Sequence, residues 1–418
     1  MGGRTLIVGA SQAGLQLAVS LRDLGYDGAV TLAGEEEHPP YQRPPLSKTF
    51  LTGEQDTEGL ALRAPGFYRE AGIDLLTGER ITRVALSPSG PPGSGVATTA
   101  AGRTLAFDQL ALTVGASPAR LPVPHDGLDG VVYLRDLGDA GRLRARLEEA
   151  REVVIVGGGF IGLETAAVAR AMGKSVTVVE AAGRLLSRAV APVISEFYRA
   201  AHNRRGSTVL LSAEVAGFTG CDGRVAGVGL KDGRSLPADL VLIGIGAVPR
   251  TELAEQLGLD CAGGIVVDGY ARTSERSVVA AGDCTVQPHP LAANGRIRVE
   301  SVQNAIAQAR VAAAGLLGRY GDTTAVPWFW SDQGDLKLQI AGLNAGYEEC
   351  VVRGDPETER FSVLYYRGDR LLAIDAVNRP ADYMAVRKAL AAGATIRAGA
   401  AGDETVPLKS LIVDTDVV

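Results

Sequence analysis

The sequence predicts an α/β fold in which two dinucleotide-binding strand–helix–strand units precede a C-terminal α+β domain. Three observations carry this. "TLIVGASQAGLQLAVSLRDLGYDGAVTLAG", residues 5–34, reads as strand, glycine turn, helix and second strand. "EVVIVGGGFIGLETAAVARAMGKSVTVVE", residues 152–180, repeats that order, and a repeated unit of this kind implies two nucleotide sites. After about residue 322 the pattern changes to antiparallel strands, "VPWFWSDQGDLKLQIAGL" and "FSVLYYRGDRLLAIDAVN", followed by a helix, "PADYMAVRKALAAG".

In the first unit an apolar run of strand length, "TLIV", enters a turn at Gly9. Leu15, Ala18, Val19 and Leu21 then recur at helical spacing, and Gly25 is placed to stop the helix. "GASQAG", Gly9 to Gly14, fits G-x-G-x-x-G except that Ser11 replaces the glycine that lets backbone approach a pyrophosphate. Serine is small and can hydrogen-bond phosphate itself. Glu35, just past the second strand, is the candidate acceptor for a ribose hydroxyl, unless it is one more solvated charge in "EEE".

Next comes "HPPYQRPPLSK", residues 38–48, with four prolines in eleven positions. Proline fixes φ and removes a donor, so the run is expected to be neither helix nor central strand. It reads as a rigid shelf that presents Lys48. Residues 78–118 follow as short strands around a Gly/Pro/Ser turn, Ser87 to Gly95. In the second unit "GGGFIG", Gly157 to Gly162, fits the glycine pattern without departure. Glu180 closes its second strand, where an acid accepts from ribose hydroxyls and repels a 2′-phosphate, which favours NADH over NADPH. Arg184 and Arg188 follow, and either could bind a 2′-phosphate. "GRVAGVGLKDGRSLPADLVLIGIGAVPR", residues 223–250, is a β-meander returning to the sheet. In "VVAAGDCTVQ", residues 278–287, a strand ends at Gly282-Asp283, where the acid can bind a ribityl hydroxyl or cap a turn.

Composition bounds the function. With 42 Lys+Arg against 48 Asp+Glu the net charge is −6, which argues against a general nucleic-acid binder. The longest apolar run, Leu240 to Val248, is too short to cross a bilayer, and "MGGRTLIVGA" enters a strand with no room for a signal peptide. Cys221, Cys261, Cys284 and Cys350 form no CxxC pair or zinc knuckle, so no metal site and a cytoplasmic setting are expected.

The motifs "PYQRPPLSK", "LTVGASPARLP", "VVIVGGGFIGLE", "GIGAVP", "AAGDC", "RVESVQNAIAQAR", "PWFWSDQ" and "DAVNRPADY" occur in this order from about residue 5 to residue 410. Together they resemble the NADH-dependent ferredoxin reductases of the putidaredoxin reductase and rhodocoxin reductase type. The resemblance implies a glutathione-reductase-like pair of Rossmann domains, with FAD in the first and NADH in the second. It places an FAD-binding domain at 1–117 and 245–322, an NADH-binding domain at 118–244 and the α+β domain at 323–418. It implies FAD contacts at Gly9, Ser11, Ala13, Gly14, Glu35, Arg43, Lys48, Ile81, Thr113, Gly115, Arg135, Asp283, Val302 and Trp330. NADH would lie near Gly157, Gly159, Phe160, Ile161, Gly162, Glu164, Glu180 and Gly246. The implied partner is a small 2Fe–2S ferredoxin serving a haem-thiolate monooxygenase or a Rieske-type dioxygenase, with the reductase a monomer or weak dimer. Three positions depart from the family pattern: Ser11, Arg250 in place of Asn, and Gly334 in place of Tyr.

In such an enzyme hydride passes from nicotinamide C4 to flavin N5, and the protein mainly orients the cofactors. A cation near N5 stabilises the charge that develops there. Lys48 is the candidate, and Glu164, in the first turns of the second glycine-loop helix, could pair with it. Arg43 is expected at the flavin phosphates, and Val302 at a helix N-terminus would offer its N–H to the flavin edge. Trp328 and Trp330 either shield the flavin or pack as core. Arg310 and Lys409 could form a basic docking patch for an acidic ferredoxin. Two other readings compete. A flavin–thiol disulfide or peroxide reductase needs a reactive cysteine where Gln42 and Arg43 stand, and no cysteine precedes Cys221. A redox-sensing scaffold related to apoptosis-inducing factor would carry targeting and basic features that are not evident.

Overall fold

A computed structural model describes residues 3–124, 127–290, 292, 295–319 and 325–414. The chain divides into two compact units. The first comprises 1–42, 60–117 and 248–327, and the second 43–59, 118–247 and 328–418. The expected boundary at 322/323 lies outside the described residues.

In the first unit a five-stranded parallel sheet runs in the order Val278–Ala280, Gln109–Leu112, Arg4–Val8, Ala29–Ala33, Ile73–Leu76. "LIV" and "LAL" are continuously apolar because helices and loops cover both faces of such a sheet. Helix Gln12–Asp23 buries Leu15, Leu17, Ala18 and Leu21 in a core shared with Ala305, Ala309, Ala312 and Ala313 of helix Val302–Leu316. The small residues of the second helix let the two approach closely. The expected turn near Ser87 joins two antiparallel strands, Ile81–Leu86 and Gly95–Thr99.

The second unit repeats the plan, in the order Thr208–Leu210, Ser175–Val179, Glu152–Val156, Leu240–Ile243, Val131–Tyr133. Strand Glu152–Val156 leads through the second glycine loop into helix Phe160–Ala171. The same unit holds a five-stranded sheet, Trp328–Gln333, Leu336–Gly342, Arg370–Val377, Arg360–Arg367 and Glu349–Asp355, with helix Pro380–Ala391 on one face. The fold is therefore the α/β pair of dinucleotide-binding sheets with a C-terminal α+β part.

The proline run departs from expectation. Pro44–Ser47 form a turn of 3-10 helix and Thr49–Thr52 a turn of α-helix. Both Pro44 and Pro45 sit in the first turn, where their missing N–H groups are ones a helix leaves unpaired anyway. Gly334 lies at the tip of the hairpin 328–342 with φ +66°, a conformation that a tyrosine would adopt only under strain.

Candidate functional site

Each parallel sheet ends in a glycine turn that brings a helix N-terminus over the strand ends. In the first unit a β-carbon on Gly9 would lie 2.2 Å from the Thr113 carbonyl oxygen, and one on Gly14 2.0 Å from the Gly9 oxygen. Thr113 ties the turn down, its hydroxyl donating to the Val8 and Gly9 carbonyls at 3.0 and 2.9 Å. Ser11 is the N-cap residue, and the first turn of the helix holds no acidic side chain. In the second unit Gly157 and Gly162 repeat the pattern, their β-carbons falling 2.4 Å from the Gly244 oxygen and 2.3 Å from the Gly157 oxygen. A β-carbon on Gly159, by contrast, would meet nothing within 4 Å. Helix Phe160–Ala171 also starts with no acid and no side-chain cap. Helix Leu137–Glu149 shows the contrast, since its N-terminus is closed by an Asp136/Asp139 capping box. Two helices left without an acid at the end of a glycine cradle suit the phosphates of two dinucleotides.

In the first unit Glu35 pairs with Arg250 and lies 3.8 Å from Arg80. Arg250 also donates to Ser117 Oγ at 2.8 Å, which binds it into this charge cluster. Ala13 is buried and would touch a β-carbon on Gly282 at 3.2 Å. Gly282 N–H donates to Gln308 Oε1 at 2.8 Å, and Thr285 Oγ1 to the same oxygen at 2.9 Å, which fixes the turn carrying Asp283. Val302 opens its helix behind the N-cap Ser301, whose hydroxyl accepts from Asn304 N–H at 3.1 Å. Ile81 is buried at the start of its strand, Gly115 accepts from Arg250 N–H at 3.0 Å, and Arg310 is exposed.

In the second unit the Glu180 carboxylate accepts from Gly158 N–H at 2.6 Å and Ala182 N–H at 2.7 Å. A negative charge is thus held against the second glycine loop. Arg184 is turned inward, donating to Val190 O, Ser187 O and Ser195 Oγ, while the Arg188 guanidinium lies beside Gly246. Arg43 donates to the Arg135 carbonyl at 2.6 Å. Trp330 is half-buried and packs against Trp328, with ring centroids 5.8 Å apart. Lys409 is exposed in the turn Leu408–Ser410.

Lys48 and Glu164 both belong to this unit and form an ion pair of 2.7 Å. Glu164 is 2% exposed and Lys48's side chain 17%. The reason lies in two periodicities. Phe160, Glu164 and Ala167 share one helix face, and Phe329, Ser331 and Gln333 share one strand face. The two faces meet: the Phe160 and Phe329 rings are 4.7 Å apart, and Ser331 Oγ donates to Glu164 Oε1 at 2.7 Å. Ser47 Oγ donates to Glu164 Oε2 at 2.5 Å, and Lys48 Nζ also reaches the Pro44 carbonyl at 3.2 Å. Three donors thus converge on one buried carboxylate, which offsets part of the cost of burying it. Ser47, Ser331, Thr285 and Gln308 were not singled out from sequence. Ser331 and Gln333 did carry a signal, as polar residues on the same strand face as the aromatic Phe329 in "WFWSDQ".

The cysteines show no dithiol centre. All four are free. Burial pushes the Cys284 thiol up to about 12, and Cys261 and Cys350 are also raised, chiefly by burial. Among the described residues no group of side chains could hold a metal ion, and no helix is long and apolar enough to cross a membrane.

Comparison with known proteins matches residues 3–309 to the pyridine nucleotide-disulphide oxidoreductase family and residues 328–412 to the reductase C-terminal family. Rhodocoxin reductase of Rhodococcus erythropolis is 43% identical over 97% of this chain and 94% of its own. Putidaredoxin reductase of Pseudomonas putida is 38% identical over 97% of this chain and 96% of its own. The crystal structure of a covalent putidaredoxin reductase–putidaredoxin complex superimposes with a TM-score of 0.93, at 38% identity over 98% of each chain. With its two glycine cradles and its C-terminal α+β part, the chain belongs to the pyridine nucleotide-disulphide oxidoreductase family, as an oxidoreductase of the rhodocoxin reductase and putidaredoxin reductase type whose cofactors are FAD and NAD(H).

Proposed function

We propose that the protein passes electrons from NADH through FAD to a 2Fe–2S ferredoxin that serves a haem-thiolate monooxygenase or a Rieske-type dioxygenase. The observation that carries the reading is the ion pair between half-buried Lys48 and buried Glu164, in a chain with no cysteine before Cys221. Relatives named as rhodocoxin and putidaredoxin reductases support a ferredoxin acceptor. Bound FAD would accept a hydride from NADH and release its electrons one at a time.

The chain's own residues bind and orient. Gly9, Ser11, Ala13, Gly14, Glu35, Arg43, Lys48, Ile81, Thr113, Gly115, Arg135, Asp283, Val302 and Trp330 would hold FAD. Gly157, Gly159, Phe160, Ile161, Gly162, Glu164, Glu180 and Gly246 would hold NADH, with Glu180 disfavouring a 2′-phosphate. Lys48 would stand as the cation beside flavin N5, and Arg310 and Lys409 would meet an acidic partner. By function the chain then divides at 1–117 with 245–322, 118–244 and 323–418. It would act in the cytoplasm, as a monomer or weak dimer. The test is stopped-flow reduction of the FAD-loaded protein. NADH should bleach the flavin much faster than NADPH, and Lys48→Ala should slow the step. A Lys48→Ala protein with the wild-type rate and long-wavelength absorbance would refute the role given to Lys48.

A further inference from the structure

Resting on the reading that Lys48 stands beside the flavin, we propose that Ser331, Gln333 and His202 are positioning residues that hold Glu164, and through it Lys48, from the protein interior. The side chains form one unbroken chain. His202 Nε2 lies 2.8 Å from Gln333 Oε1. Gln333 Nε2 donates to Ser331 Oγ at 3.3 Å, and Ser331 Oγ donates to Glu164 Oε1 at 2.7 Å. Glu164 Oε2 then takes Lys48 Nζ at 2.7 Å. His202 is 3% exposed, Gln333 1% and Ser331 0%.

The bonds share one direction. With the Gln333 amide oriented as it is, its oxygen accepts, so His202 Nε2 carries the proton. Burial holds the His202 pKa below its ordinary value and Arg205 opposes the charged form too, while the bond to Gln333 pulls the other way. The ring is therefore neutral at neutral pH. Each donor points towards the Glu164 carboxylate, and bonds aligned in this way polarise one another. The strand's alternation makes the arrangement specific. Ser331 and Gln333 occupy inward positions that an apolar side chain would fill at no desolvation cost. Without Ser331, Glu164 Oε1 would lose its donor and the carboxylate could turn, carrying Lys48 Nζ with it.

The test compares FAD-loaded wild type, Ser331→Ala, Gln333→Leu and Lys48→Ala. The readouts are the rate of flavin reduction at saturating NADH and the position of the long-wavelength absorbance band that follows. Ser331→Ala should reduce roughly threefold to tenfold more slowly, with a shifted band, the order expected when one bond to a charged group is lost and only partly transmitted. Gln333→Leu should shift both in the same direction by less, and it reads the same chain if Ser331→Ala does not hold FAD. A wild-type rate and band in the Ser331 and Gln333 variants, with Lys48→Ala slow, would overturn the positioning role alone. A wild-type rate in Lys48→Ala would remove the reading beneath it, and the positioning role with it.

Discussion

Lys48→Ala removes a cation from a carboxylate that is 2% exposed, and leaves Glu164 with the Ser47 and Ser331 hydroxyls. Breaking a fully buried pair costs about 3–5 kcal/mol, because the remaining charge has no counter-ion. Lys48 is 17% exposed, so water screens part of this, and a loss of about 2–3 kcal/mol is expected. Glu164→Gln leaves an ammonium that still reaches the Pro44 carbonyl and some solvent, for a loss of about 1–2 kcal/mol. The double variant buries no lone charge, so it should be more stable than the sum of the two by about 1–2 kcal/mol. Urea titration of the four FAD-loaded proteins, followed by far-ultraviolet circular dichroism, measures the difference. Losses that add to within about 0.3 kcal/mol would mean that the pair is not coupled in solution, and the account of Lys48 would fail.

Other consequences can be checked separately. Gly162→Ala would place a β-carbon 2.3 Å from the Gly157 oxygen, so NADH binding should weaken about tenfold or more in a titration while FAD content holds. Glu180→Ala removes the charge held against the second glycine loop, and the NADH-over-NADPH ratio in kcat/KM should narrow by about tenfold. Asp375 is fully buried, and burial pushes its carboxyl up to about 7, although the Tyr365 hydroxyl opposes this. The folded state then keeps a proton that the unfolded chain loses near pH 4, so the Asp375 contribution falls as pH rises to about 7 and is flat above. Asp375→Asn should therefore be neutral near pH 4 and gain up to about 3 kcal/mol relative to wild type by pH 8, read by denaturant titration at each pH.

Much of this was legible in the sequence because it rests on local rules. The glycine loops, their flanking apolar strands and the helix that follows each are set by spacing within about thirty residues. The turn within "HPPYQRPPLSK" was missed because prolines look disruptive until a helix begins on them, as one does at Pro44. The polar chain behind Glu164 was hidden for a different reason. Ser47, His202, Ser331 and Gln333 lie on three segments far apart in sequence, and no periodicity within one segment brings them together. Glu35 shows the same limit, since its pairing with Arg250 spans 215 positions.

The most direct test of the proposed activity is acceptor choice. The FAD-loaded protein, given NADH, is mixed in turn with a 2Fe–2S ferredoxin and with a small disulfide, and NADH loss is followed at 340 nm alongside bleaching of the iron–sulfur absorbance. The account predicts rapid ferredoxin reduction, two ferredoxins reduced per NADH, and slow disulfide turnover. Rapid disulfide reduction with an unreduced ferredoxin would contradict it.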